Sequence, residues 1–67
     1  MTINELPDII RQRRLEMGLS QDALAKLAGT NHATVSEIET RRTVPNMATV
    51  DALCRALGLR LAVEVVG

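Results

Sequence analysis

Two short helical stretches separated by only three residues, GTN at 29–31, constrain the fold of this chain more than any other feature. Ser20 is a good N-cap for the first stretch, and Asn31 is a good N-cap for the second, which is predicted over 32–39. The predicted inward residues are Leu24, Leu27 and Ala28 on the first helix and Val35 and Ile38 on the second. So short a turn forces the two helices to pack close together at a steep angle.

Three residues within this segment agree with such packing. Ala25 is small at the point where the helices approach most closely, Gly29 can adopt a positive φ in the turn, and Val35 is a β-branched core residue on the second helix. Together, at this spacing, they predict a helix-turn-helix unit.

The flanking sequence predicts two further helices. The first runs over 5–16, with Pro7 in its first turn, and it ends before Gly18. After the loop TRRTVP, Asn46 can cap a last helix that reaches residue 57. The predicted inward residues are Leu6 and Ile10 on the first helix and Met47, Val50, Leu53, Cys54 and Leu57 on the last. With no repeat or linker, residues 1–67 form one domain, whose helical unit is 6–58.

The end of the chain changes from helical periodicity to alternation. Over 59–66, one side of a predicted β-strand carries Leu59, Leu61, Val63 and Val65. No second strand is predicted upstream, and an unpaired strand with an apolar side is prone to association. We therefore expect the strand to pair with its copy in a homodimer, which would also support a chain as short as 67 residues.

Composition excludes several kinds of site. The single cysteine, Cys54, cannot form an internal disulfide, and together with the only histidine it cannot complete a structural zinc site. No set of residues suggests an enzyme, so no catalytic residue, metal or cofactor is predicted. A chain without Phe, Tyr or Trp lacks platforms for stacking single-stranded nucleic acid. The free thiol and the absence of an apolar leader or membrane span predict a cytoplasmic protein.

The segment GLSQDALAKLAGTNHATVSEIE, together with Pro45 and LCRALGL, resembles the Xre/Cro family of phage and bacterial DNA-binding domains. The resemblance covers about residues 6–59 and implies a mostly α, lambda-repressor-like bundle of four helices, to which the predicted strand is added. It also implies that the third helix enters the major groove and that two units bind a palindromic double-stranded operator. Arg14 and Glu39 match the family's buried structural ion pair. Arg41 stands where the family commonly has glycine, and it adds a cation near the DNA.

The candidate DNA-binding residues lie on the third helix and at its margins. They are Gln21, Asn31, His32, Ala33, Thr34, Ser36, Glu37, Thr40, Arg41 and Arg42. Glu37 can accept from cytosine N4 or can be a solvated surface residue, and Ala33 and Thr34 can contact a thymine methyl or be ordinary helix residues. Which of Arg11, Arg13, Arg41 and Arg42 contact phosphate stays open, although the two after the recognition helix are favoured.

The terminal strand resembles that of the HipB-like antitoxins, small autorepressors of toxin operons. This resemblance implies an antitoxin that represses its own operon and neutralises a partner toxin, either a HipA-like kinase or another protein. Two alternatives remain. One is a free-standing regulator, such as a phage repressor or a restriction-modification controller. The other is a protein-interaction module that has lost DNA binding, because the eight basic and eight acidic residues cancel.

Overall fold

A computed structural model describes residues 5–61, and within this range the chain forms four α-helices in the order predicted. They are α1 (Leu6–Glu16), α2 (Gln21–Ala28), α3 (His32–Glu39) and α4 (Met47–Ala56). The predicted helices and the three-residue turn between α2 and α3 are confirmed. Within the described range, no helix has both the length and the apolar character needed to cross a membrane.

Side-chain caps fix where three of these helices begin. Ser20, Asn31 and Asn46 have extended backbones, and the side-chain oxygen of each accepts a hydrogen bond from the backbone N–H three residues later, at 2.8 to 3.0 Å. Each cap pairs an N–H group that the helix itself leaves without a partner. The three predicted N-caps are confirmed.

All four helices end in the same way. The chain turns through a residue of left-handed conformation, and the next N–H donates to the carbonyl five residues back, at 2.7 to 3.0 Å. This is the Schellman motif, in which glycine is the usual left-handed residue. The left-handed residue is Gly18 after α1, Gly29 after α2 and Gly58 after α4, each with φ near 70°. After α3 it is Arg41, with φ 61°. Arg41 is the one described residue other than glycine with a positive φ.

The core lies where α2 packs against α3 and α4 and where α1 packs against α3. Its buried apolar residues are Leu6, Ile10, Leu24, Ala25, Val35, Ile38, Val50, Leu53, Cys54 and Leu57. Burial and the charge of Asp51 both raise the pKa of the Cys54 thiol, which keeps it protonated and unreactive at neutral pH.

Two residues predicted to face the core do not. Leu27 is 62% exposed and Met47 is 64% exposed. The buried face of α2 is centred on Leu24, Ala25 and the half-buried Ala28, which places Leu27 about 100° away around the helix axis. Met47 is the first residue of α4 and lies at the edge of the buried face, beside the loop that precedes the helix.

The predicted strand is not present over 59–61, the part of it that the structure describes. Leu59 and Leu61 are half-buried and pack against the helical core of their own chain, while Arg60 is exposed. Leu59 and Leu61 therefore face inward as predicted, but residues 5–61 contain no strand with which they could pair. Val63 and Val65 lie outside the described residues.

The left-handed residues at the ends of α2 and α3 should differ in how much their substitution lowers stability. A Cβ added at Gly29 would meet no atom within 4 Å, so Gly29→Ala should cost only the backbone term, about 1 to 2 kcal/mol of unfolding free energy. Arg41→Gly relieves the same strain and loses an exposed ion pair, so it should leave stability within about 1 kcal/mol of wild type. Urea unfolding of both variants measures this. A loss from Arg41→Gly as large as that from Gly29→Ala would contradict it.

Candidate nucleic-acid interface

Helix α3 has one buried face and one outward face. Val35, Ile38 and Glu39 are buried, which fixes the orientation of the helix in the bundle. The outward residues fall within an arc of about 140°, at 100° per residue. They are His32, Ala33, Ser36, Glu37 and Thr40, of which Ser36 is half-buried and the others are exposed. This outward face carries small and polar side chains and no large apolar residue.

A buried ion pair holds α3 against α1. Arg14 Nε donates to Glu39 Oε2 at 2.7 Å, and a terminal nitrogen of Arg14 donates to Glu39 Oε1 at 2.9 Å, so the contact is bidentate. The other terminal nitrogen donates to the carbonyl of Leu19 at 2.9 Å. The hydrogen bonds that Arg14 donates to Glu39 raise the pKa of the guanidinium, even though burial acts in the opposite direction. Arg14 therefore stays charged under all ordinary conditions.

Gln21 connects this ion pair to the outward face. Its Nε2 donates to Glu39 Oε1 at 3.2 Å, and its Oε1 lies 2.8 Å from Nε2 of His32. Because the amide nitrogen is directed at the carboxylate, the amide oxygen must accept, and His32 Nε2 carries the hydrogen. A chain of polar contacts thus runs from α1 through Glu39 and Gln21 to the first residue of α3. Gln21 positions the imidazole, and His32 leaves Nδ1 for other contacts.

Three other candidate residues use their side chains within the protein. Asn31 Oδ1 accepts from both the backbone N–H and the hydroxyl of Thr34, at 2.9 and 3.0 Å. The hydroxyl of Thr40 donates to the carbonyl of Ser36 at 2.7 Å. Within the described part of the chain, the side chains of Ser36 and Glu37 have no hydrogen-bond partner, and together with Ala33 they are the most available on the outward face.

The four arginines that could contact phosphate, Arg11, Arg13, Arg41 and Arg42, differ in the contacts that they make within the protein. Arg13 Nε donates to the carbonyl of Leu57 at 2.9 Å, which ties α1 to the end of α4, and a terminal nitrogen lies 3.7 Å from Glu16. Arg11 and Arg42 are exposed. Arg41, two residues after the end of α3, forms an ion pair with Asp8 on α1 at 3.1 Å. No sequence pattern predicted that Asp8 pairs with Arg41, because the two residues are 33 positions apart.

The sequence is similar to those of known proteins. Residues 10–63 match the helix-turn-helix family. An uncharacterized HTH-type transcriptional regulator of Methanothermobacter thermautotrophicus, strain Delta H, is 36% identical over 50 residues, which cover 75% of this chain and 72% of that protein. No solved structure matches the chain significantly.

The buried pair should be strongly coupled in stability. Glu39→Gln leaves the Arg14 guanidinium buried without a counter-charge, so we expect it to cost about 3 to 5 kcal/mol of unfolding free energy, and Arg14→Gln should do the same to the carboxylate. The double variant should lose much less than the sum of the two, as measured by urea unfolding in a double-mutant cycle.

The matched control is the exposed pair of Asp22 and Lys26 on α2, 3.3 Å apart, whose removal should change stability far less. Additive losses at Arg14 and Glu39 would show that the two side chains do not act as a pair.

Proposed function

The chain belongs to the helix-turn-helix family of DNA-binding transcriptional regulators, and we propose that it is a sequence-specific repressor that binds a palindromic double-stranded operator as a homodimer. In this proposal α3 is the recognition helix, which lies in the major groove, and α2 crosses the DNA backbone. The observation that carries the proposal is the outward face of α3, where small and polar side chains are followed at once by two arginines.

The chemistry of that face suits base edges in the major groove. Glu37 can accept from cytosine N4, Ser36 can donate or accept, and Ala33 can contact a thymine methyl group. His32, whose orientation Gln21 fixes, offers its remaining ring nitrogen. A small residue at position 33 also allows the helix to sit deep in the groove.

Arg41 and Arg42 would contact the DNA backbone and set the register of α3. Both follow the recognition helix, and Arg42 is exposed. Phosphate contacts of this kind give affinity for every sequence, whereas base contacts give preference. Because the net charge of the chain is zero, such local cations must supply the attraction to DNA.

Substitutions on α3 and after it should have different effects. His32→Ala or Ser36→Ala should change which base pairs are preferred more than it changes overall affinity. Arg42→Ala should weaken binding to all sequences alike and reduce the salt slope by about one, because one phosphate contact is lost. Fluorescence titration of a duplex from the protein's own upstream region and of a random-sequence duplex, at several salt concentrations, measures both effects.

Arg55→Ala is the matched control, because Arg55 is an exposed arginine that pairs with Asp51 within α4. It should leave both affinity and preference unchanged. If the two substitutions on α3 leave base preference as it was, α3 is not the recognition helix. Failure to bind either duplex at any salt concentration would instead favour a protein-interaction module that has lost DNA binding.

We also propose that residues 59–66 form the dimerisation segment, separate from the helical unit 6–58. One support is the alternation of apolar residues at Leu59, Leu61, Val63 and Val65. Another is that Leu59 and Leu61 pack against the helical core, which connects the segment to the helical unit of its own chain. Two-fold pairing of identical strands closes the assembly at two subunits. It would also set the separation of the two recognition helices, which must be about 34 to 36 Å or a multiple of that.

Val63→Lys and Glu64→Lys provide a test on the full chain. Val63→Lys puts a charge on the inward side of the alternation and should dissociate the dimer, while Glu64→Lys on the opposite side should be much milder. Sedimentation measures the oligomeric state, and titration of a palindromic duplex measures affinity. Dimerisation and specific binding should be lost together in Val63→Lys. A variant that stays dimeric and binds normally would refute the role of the segment.

The most specific form of the proposal is that the protein is the antitoxin of a toxin-antitoxin operon. Its support is the alternating C-terminal segment, which resembles that of the HipB-like antitoxins, and the partner would be a HipA-like kinase or another toxin. Growth arrest by a toxin encoded beside this gene, relieved when the two proteins are produced together, would establish it. A neighbouring gene product with no effect on growth would leave a free-standing repressor.

A further inference from the structure

We propose that Asp8 competes with DNA for Arg41, so that this carboxylate holds the guanidinium in the free protein and limits its contact with phosphate in the complex. The inference deepens the proposed function and rests on it, because it names a residue outside the helix-turn-helix that sets how tightly the protein binds double-stranded DNA. Two independent observations carry it, one from the backbone of Arg41 and one from its side chain.

The backbone of Arg41 indicates that the fold itself does not require an arginine. The residue is in the left-handed conformation that ends α3, and Gly18, Gly29 and Gly58 occupy the same position at the ends of the other helices. An L-residue with a side chain is less stable than glycine in that conformation. A strained residue at the margin of a candidate interface suggests that its side chain has a role there.

The side chain of Arg41 reaches across to another helix. Its terminal nitrogen lies 3.1 Å from Asp8 Oδ2, in the first turn of α1. The two side chains remain 48% and 76% exposed, so a phosphate could reach the guanidinium without any change in the core. The contact is the one described ion pair that joins the loop after the recognition helix to α1.

Carboxylate and phosphate oxygens bind a guanidinium through the same fork of N–H donors. The same donors cannot bind both anions fully, and the charge of Asp8 also repels phosphate. An exposed pair of this kind is weak, so DNA can displace it. Asp8 would therefore reduce affinity for every sequence by the same factor and leave base preference to α3.

The test is Asp8→Asn, which keeps the size of the side chain and removes its charge. We expect about twofold to fivefold tighter binding to both the duplex from the upstream region and the random-sequence duplex, with the ratio of the two affinities unchanged. The substitution also removes an acid from the first turn of α1, where the helix dipole favours it. Because this loss lowers stability, tighter binding could not result from a better-folded protein.

A double-mutant cycle with Arg41→Gly separates competition from general repulsion. If Asp8 acts through Arg41, Asp8→Asn has no effect on affinity in the Arg41→Gly background. If the gain persists in that background, Asp8 repels the DNA without involving Arg41, and the proposal is overturned. Glycine suits the backbone at this position, so the variant should remain folded.

Asp51→Asn is the matched control, because it likewise removes the charge of a carboxylate that pairs with an exposed arginine, here Arg55 within α4. Its affinity should equal that of the wild type. If the wild-type protein binds duplex DNA and Asp8→Asn binds no more tightly, this inference fails while the proposed function stands. If the wild-type protein binds neither duplex, both fail.

Discussion

Arg14 and Glu39 are buried together at the junction of α1 and α3, and the position of α3 depends on their staying paired. Two charges removed from water must satisfy each other, and the bidentate contact does so, with the carbonyl of Leu19 taking a further N–H. Because Glu39 also accepts from Gln21, the same carboxylate fixes the residue that holds His32. The buried ion pair therefore helps to position His32 on the outward face of α3.

The polar residues around α3 divide into those that build the helix and those that remain available. The side-chain oxygen of Asn31 and the hydroxyls of Thr34 and Thr40 are bonded within the first and last turns and are therefore used by the fold. Ser36 and Glu37 are not, and under the proposed function they are where the sequence of an operator would be read. A change at either should alter recognition without disturbing the helix.

Local chemistry explains which features the sequence could predict. The caps at Ser20, Asn31 and Asn46 depend on residues three positions apart, so the sequence predicted them correctly. Periodicity alone placed Leu27 in the core because Leu27 lies three residues after Leu24, but the buried face is centred on Leu24, Ala25 and the half-buried Ala28 and leaves Leu27 exposed. Spacing alone also cannot predict contacts between distant segments, and the pair of Arg14 and Glu39 was expected only through the family resemblance. Neither the bond from Arg13 to Leu57 nor the ion pair of Asp8 with Arg41 leaves any trace in the spacing of residues.

In the proposed repressor, the pairing of basic with acidic side chains makes the affinity for DNA depend on dimerisation. Most of the described cations are paired within the protein, as Lys26 is with Asp22 and Arg55 is with Asp51, so each helical unit has few arginines to offer to phosphate. A single unit would then bind DNA weakly at physiological salt. Joining two units makes the second contact intramolecular, and its effective concentration raises the affinity only where two half-sites have the right spacing. Weak attraction by each unit is therefore what would confine the dimer to palindromic sites.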